Sequence, residues 1–404
     1  MNVSSHSEEH QSLEVAEIFR RYGEEYRAGN GMTKKQHQVM HAIAHCRTSV
    51  YGFHVDRCVD CGYTESEYNS CRDRHCPKCQ AIARRKWVEE RVRNLLPVSY
   101  YHVIFTLPHY LHGIIRYNRE RIYDLLFSTA AETLSTFGRD PKWLGGELGF
   151  FGVLHTWGQT LWQHPHIHFI VAGGALSDEG QWIPPRFGGK FLFPVKALSK
   201  VFRGKFVASL KQAYADGGLV IPDDQSRLRH PANFERWIDG LVARPWVVYC
   251  KAPFNDAEHV VRYVGRYTHR VAISNQRLID IENGTVRFWF KDYKKDTLVR
   301  KQMRLEAKEF ISRFLWHVLP HRFHKIRHFG FLANGRCKVM VDQIRSLIAA
   351  VSPQPDASPN TSNKRVCPKC ETGWLISLLV KDGYGRIVRL GPGLSMNKLS
   401  YDTS

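Results

Sequence analysis

His155-Thr156-Trp157-Gly158-Gln159 and, a few residues on, His164-Pro165-His166-Ile167-His168-Phe169-Ile170-Val171 are the stretches on which the fold turns. In the second, Ile167, Phe169 and Val171 alternate with His166 and His168, the period-two pattern of a strand. The apolar set then shares one face and the two histidines the other. Residues 149–157 also read as a strand, with His155 near its end. Hairpin-type pairing brings His155 alongside His166 and His168. Three imidazoles on one face make a metal site with open coordination positions, and histidine at an ordinary pKa of ~6.5 is largely neutral and ready to ligate at pH 7. The blander reading is a set of buried structural histidines, and His164 is either a fourth neighbour or nothing.

Working outward, Tyr263-Val264-Gly265-Arg266-Tyr267 follows about a hundred residues later. Two tyrosines at i,i+4 are neighbours on one helix face. Asn255-Asp256-Ala257-Glu258 opens that helix as a capping box. Arg262, Arg266 and His259 flank the tyrosines, while Val260, Val261 and Val264 supply a packing side. A metal that polarises a phosphate and a tyrosine that attacks it would cut DNA and stay attached to it. The alternative is a pair of amphipathic tyrosines at a surface.

The rest of the chain reads as helix over residues 12–45, 80–96, 118–137 and 305–319, and as strand over 100–107 and 246–251. Residues 174–245 look like an insertion with helices at 196–215 and 232–243. Residues 271–280 and 285–290 look like a hairpin about Glu282-Asn283-Gly284. Residues 46–79 look irregular. Ser352 to Asn363, rich in Pro, Ser and Asn, reads as a linker.

Composition narrows the partners. Lys+Arg 58 against Asp+Glu 38 gives a formal net charge of +20 over 404 residues, with 12% aromatics. That surplus favours a polyanion, and nucleic acid over an ordinary basic enzyme. Single-stranded DNA binding needs cations interleaved with aromatic rings, as in Arg287-Phe288-Trp289-Phe290-Lys291-Asp292-Tyr293-Lys294-Lys295; a core strand with a solvated tail is the alternative. No G-x-x-x-x-G-K-[ST] motif is present, so no nucleotide cofactor is expected. The polar N-terminus and the lack of any 18-residue apolar run lead to the expectation of a cytoplasmic, nucleoid-associated protein that leaves membranes alone.

Six of the ten cysteines fall between Cys46 and Cys79, which in a chain without an export signal favours metal over disulfides. Cys58-x2-Cys61 and Cys76-x2-Cys79 have the spacing of two zinc half-sites. Cys46, Cys71 and His75 could build a second site, with His45 or His54 as a fourth ligand, or be incidental. One or two structural Zn2+ ions are therefore expected. Cys367-x2-Cys370 has no second pair downstream; its readings are a partnership with Cys337 and a histidine, or a non-binding tail.

Several further segments complete a pattern: Asn69-Ser70-Cys71-Arg72-Asp73-Arg74-His75-Cys76-Pro77-Lys78-Cys79-Gln80, His102-Val103-Ile104-Phe105-Thr106-Leu107-Pro108-His109, Gly265-Arg266-Tyr267-Thr268-His269-Arg270-Val271-Ala272-Ile273-Ser274-Asn275 and Arg313-Phe314-Leu315-Trp316-His317-Val318-Leu319-Pro320. With the histidine motifs, and in this order from about residue 15 to 345, the chain resembles the rolling-circle transposases of the insertion sequence ninety-one family, within the HUH (His-hydrophobic-His) nucleases. The resemblance implies an α+β architecture: a small zinc-binding domain, an HUH nuclease domain with a central antiparallel sheet, and a helical C-terminal region. It implies His155, His166 and His168 as ligands of a divalent metal (Mg2+ or Mn2+), and Tyr263 and Tyr267 as nucleophiles, one or both acting. The partner it implies is single-stranded DNA at transposon ends and target. Arg262, Arg266, Arg270, Lys291, Lys294 and Lys295 are the cations expected to meet that DNA. The domain expectation is residues 1–97 for zinc binding and DNA docking, 98–300 for the nuclease, 301–350 for a basic helical region, and 351–404 for a tail. A plasmid replication initiator or relaxase would use the same chemistry. A zinc-finger regulator with a dead nuclease half is a third reading, disfavoured because all three histidines and both tyrosines are present.

Overall fold

The structure is a computed structural model and describes residues 13–254, 265, 271–292, 299–349 and 365–391. From the N-terminus, helices α1 (Val15–Gly29) and α2 (Lys34–Ala44) precede the hairpin of β1 (Phe53–Cys58) and β2 (Thr64–Tyr68). Helix α3 (Gln80–Arg93) leads to β3 (Tyr100–Thr106), then α4 (His112–Tyr117) and α5 (Arg119–Arg139). The two longest strands, β4 (Glu147–Trp157) and β5 (Gln163–Leu176), come next, with the short β6 (Trp182–Ile183). Helices α6 (Val195–Ala215) and α7 (Pro231–Val242) precede β7 (Val248–Phe254). Strands β8 (Leu278–Glu282), β9 (Thr285–Asp292) and β10 (Val299–Glu306) are followed by α8 (Ala307–Trp316), β11 (Ile326–Gly330), α9 (Cys337–Ala349), β12 (Leu375–Lys381) and β13 (Ile387–Leu390).

The central sheet runs β11-β4-β5-β3-β7, with β6 paired to β5, and every pairing is antiparallel. Its register decides the function of its two faces. Val103, Phe105, Ile167, Phe169 and Val171 join Phe150 and Leu154 in a core sealed by Phe127 of α5 and by Phe202 and Phe206 of α6. Burying each such ring is worth roughly 2–3 kcal/mol. Gly152 has a local task in this layer, because a Cβ there would meet the Phe169 ring at 2.5 Å. On the opposite face, Tyr100, Phe151, Val153, Ile170 and Ala172 pack with Val341 and Ile344 of α9. The histidines occupy the remaining end of that second face.

Two smaller sheets flank the first. Strands β8–β10 form a meander joined at Asn283-Gly284, whose positive φ values of 47° and 75° suit a tight hairpin turn. This meander packs with α1, α2 and α8 in a second core, where Phe19 meets Phe314 edge-on at 5.3 Å. Thr33 and Gln36 make the capping box that starts α2, and the Gln36 side chain reaches the Leu315 carbonyl at 3.2 Å. The other sheet is β13-β12-β1-β2. It joins the C-terminal strands to the N-terminal hairpin.

The antiparallel sheet and the helices over 195–215 and 231–242 follow the sequence expectation. Several strands do not. β2 reads Thr-Glu-Ser-Glu-Tyr and β10 reads Val-Arg-Lys-Gln-Met-Arg-Leu-Glu, so neither carries a clean apolar alternation; ladder bonds to a neighbour make them strands. Residues 271–273, expected as strand, are buried without being one, and Ala272 holds φ 54°. Residues 375–390, read from sequence as part of a tail, form β12 and β13.

Candidate functional site

His155 sits directly across from His166 in the β4–β5 ladder, and His168 lies two residues further on the same face. One ligand nitrogen from each of the three can be chosen so that all lie within 4.8 Å of one another. Ring centroids are 5.2 Å apart for His155–His166, 4.3 Å for His155–His168 and 4.8 Å for His166–His168. The ladder slips between His155 and Trp157, where β5 carries an extra residue beside Pro165. A bulge of this kind re-aims the side chains next to it.

The rings are held by their outer nitrogens. His166 Nδ1 donates to the His164 carbonyl at 2.6 Å, and His168 Nδ1 is bonded to His102 Nε2 at 2.7 Å. His102 is buried on β3 and stacks on His168 with centroids 5.0 Å apart. His155 stacks on Trp157 at 4.8 Å. Such outer partners fix tautomer and ring plane in histidine metal centres. Burial pushes His166 down to about 3. His168 is also held well below the ordinary value, by burial first and then by its proximity to His155. Both imidazoles are therefore neutral at pH 7. The donor set fits a divalent cation with open positions.

His102 was quoted from the sequence but given no role. Parity puts His102 on the same strand face as Ile104, but only the β3–β5 register, in which Ile104 pairs with His168, brings it to the site.

Tyr263, Tyr267, Arg262, Arg266, Arg270, Lys294 and Lys295 lie outside the described residues. Gly265, between the tyrosines, is described as helical and buried. A Cβ on it would meet Val88 Cγ2 of α3 at 2.3 Å, so α3 approaches the chain closely there. Lys291 is exposed on β9. In the same strand Phe288 is fully buried and Trp289 lies under Arg300, whose guanidinium is 4.6 Å from the ring centroid.

The cysteines form two groups of four. Cys46, Cys71, Cys76 and Cys79 make one; Cys58, Cys61, Cys367 and Cys370 make the other. The expectation that Cys58 and Cys61 share an ion with Cys76 and Cys79 is therefore corrected: β1 carries the first pair away from the second and onto the C-terminal sheet. Sulfur separations are 3.5 Å for Cys46–Cys79, 3.6 Å for Cys71–Cys79, and 3.7 Å for both Cys58–Cys370 and Cys61–Cys367. Tetrahedral zinc with Zn–S of about 2.3 Å needs sulfurs about 3.8 Å apart, so both groups fit the ion. Backbone N–H groups of Lys369 and Gly373 point at Cys367 and Cys370 at 3.4 Å each. A Cβ at Gly373 would stand 2.6 Å from Cys58 Sγ.

His75 is in neither group. Its Nδ1 donates to Asp73 at 2.8 Å and its Nε2 accepts the Leu319 N–H at 3.2 Å, so both nitrogens are used. His54 bonds Asn69 at 3.0 Å instead, and Cys337, the first residue of α9, is half-buried against the core of that face. Arg74, next to His75, donates to the carbonyls of Phe323 and Pro320 at 2.6 and 2.9 Å. The thiol-rich loop is thereby bonded to the segment that leads into β11.

Comparisons with known proteins agree with this anatomy. The family model described as "Transposase zinc-binding domain" matches residues 18–107, and the model described as "Putative transposase" matches residues 149–339. "Putative transposase y4qJ" of Sinorhizobium fredii is 46% identical over 384 residues, 92% of this chain and 96% of its own. "Transposase for insertion sequence element IS801" of Pseudomonas savastanoi pv. phaseolicola is 29% identical over 313 residues, 77% of this chain and 73% of its own. A solved structure of the conjugative relaxase TrwC with oriT DNA, metal-bound, aligns over 42% of this chain and 70% of that one, at 13% identity and a TM-score of 0.22. A likeness that weak leaves the fold to be read from the strand order itself. No helix among the described residues is long and apolar enough to cross a membrane.

Proposed function

The chain belongs to the transposases of the insertion sequence ninety-one family, and we propose that it nicks single-stranded transposon ends by tyrosine attack assisted by a metal at His155, His166 and His168. The single observation that supports this reading most is the convergence of those three histidines, with their ligand atoms within 4.8 Å and two of the rings locked by outer bonds. A divalent cation held there would act as a Lewis acid on the scissile phosphate. The histidines present neutral nitrogens, and His102 fixes the plane of His168.

Tyr263 or Tyr267 supplies the nucleophile in this proposal. The phenol loses its proton and its oxygen bonds to phosphorus. The bond from phosphorus to the 3′ oxygen breaks, leaving a 5′-phosphotyrosine and a free 3′-OH. An ordinary phenol is only about 0.1% ionised at pH 7, a cost of roughly 4 kcal/mol that neighbouring cations would lower. The ester stores the bond, so transfer to a second strand needs no nucleotide hydrolysis. The formal charge of +20 supports a polyanionic substrate. Lys291, together with the flanking arginines and lysines named above, would meet its phosphates. The two cysteine groups would hold one structural Zn2+ each.

The test is an adduct assay. Protein, Mg2+ or Mn2+, and labelled single strands from the element ends are expected to give a covalent species that survives denaturation. Tyr263→Phe with Tyr267→Phe is expected to abolish it. Adduct formation by that double variant would end the proposal, and the single variants would show which phenol acts.

A further inference from the structure

We propose that the pocket beside the turn between β4 and β5 is a subsite for one unstacked base of single-stranded DNA, adjacent to the histidine centre. This rests on the strand-nicking reading above and adds a recognition element to it.

The cavity measures about 180 Å³ and lies between α4 (His112, Arg116, Tyr117), the turn (Trp162, Gln163) and the end of α8 (Trp316). Trp162 is 48% exposed and Tyr117 53% exposed, so both rings are open to solvent. Trp162 and Trp316 meet edge-to-face at 5.2 Å and 79°, which gives a cleft with a floor and a wall instead of a closed stack. Arg313 covers Trp162 at 4.8 Å and Arg116 approaches Trp316 at 5.5 Å. Rings backed by guanidinium groups suit a base with its phosphate nearby.

The display is rigid. Arg313 donates to the Thr160 carbonyl at 3.1 Å, and buried His317 reaches the Leu161 carbonyl at 3.0 Å. Gly158 and Trp162 are bonded across the turn at 2.9 Å, and Leu161 is buried at φ 61°. A turn fastened at successive carbonyls, yet carrying an exposed tryptophan, is built to present that ring.

The cleft also has unused polarity. His112 lines the cleft, its Nε2 is buried with no hydrogen-bond partner among the described residues, and burial first, then the neighbouring His109 and His164, keeps this imidazole uncharged at neutral pH. Gln163 and Asp224 also line the cleft and add a donor and acceptors. A flat, edge-polar, π-faced ligand matches that combination. Gln163 stands three residues before His166 on β5, across the bulge and so at most about 10 Å along the strand. A base in the cleft would therefore lie within about two nucleotides of the cation site.

The test uses the full chain with dT12 carrying one 5-iododeoxyuridine, moved through the strand, followed by irradiation and peptide mapping. Crosslinks to Trp162 or Trp316 from one or two adjacent positions are expected. Trp162→Ala, at an exposed site, is expected to weaken dT12 binding by roughly 10-fold, and an abasic site at the crosslinking position should add nothing further to that variant's loss. Crosslinks confined to other residues, or unchanged affinity in Trp162→Ala, would overturn the subsite while leaving adduct formation intact. Crosslinks at the cleft, with no tyrosine adduct on the element-end strands, would sink the nicking reading and keep the subsite.

Discussion

The two cysteine groups offer the same chemistry in opposite settings. Cys46 and Cys76 are buried in a core with Phe19 and Phe314, so an ion there would hold the N-terminal helices and the meander against α8. Cys58 and Cys367 share a small cluster with Leu375, and an ion there would pin only the β13-β12-β1-β2 sheet. Ligand count and sulfur separations are alike, so the difference lies in what each group is packed into. A metal site contributes to global stability in proportion to the core that depends on it.

The comparison can be broken in several ways. Cys76→Ser should have the largest effect: one zinc per chain lost in elemental analysis, and a main thermal transition lowered well beyond 10 °C or absent, since structural zinc in small domains carries about 10 kcal/mol or more. His75→Ala comes next. It strands the Leu319 N–H and Asp73, and should cost about 2–4 kcal/mol in denaturant unfolding with the zinc count unchanged. A fall in zinc content would instead make His75 a ligand.

Lys325→Met tests the same junction with the opposite sign. Burial first, then Arg74, drops this lysine to about 7, below its ordinary 10.5. The unfolded chain binds the extra proton between those values, so wild-type stability rises from pH 7 toward 10.5, and the penalty is complete below 7. The variant should gain about 1–3 kcal/mol at pH 6 and nothing above pH 10.5. Cys367→Ser with Cys370→Ser should do least. One zinc is lost, the main transition moves by about 2 °C or less, and new protease cuts appear within residues 365–391.

What was legible in the sequence was what is local. Alternation in residues 166–171 fixed a strand and placed two histidines on one face, and the apolar residues between them gave the core side. The Cys-x2-Cys spacings marked ligand pairs but not their partnership, because spacing along the chain does not encode which pairs meet in space. His102 needed the β3–β5 register, and the pocket at Trp162 needed α4, β5 and α8 at once. β2 and β10 were missed because their side chains are largely polar, while their ladder bonds come from a neighbour.

The pairing of Cys61 with Cys367 across 306 residues also has a consequence in time. A ribosome adding about 5–20 residues per second takes about 15–60 s to cover that distance. The first Cys-x2-Cys pair emerges well before its mates and must stay reduced and unclaimed until the last strands arrive. The local group can close almost at once. A chain cut short by a stop codon upstream of residue 367 would therefore carry a finished first clasp and a bare pair of thiols, which marks it for oxidation or proteolysis.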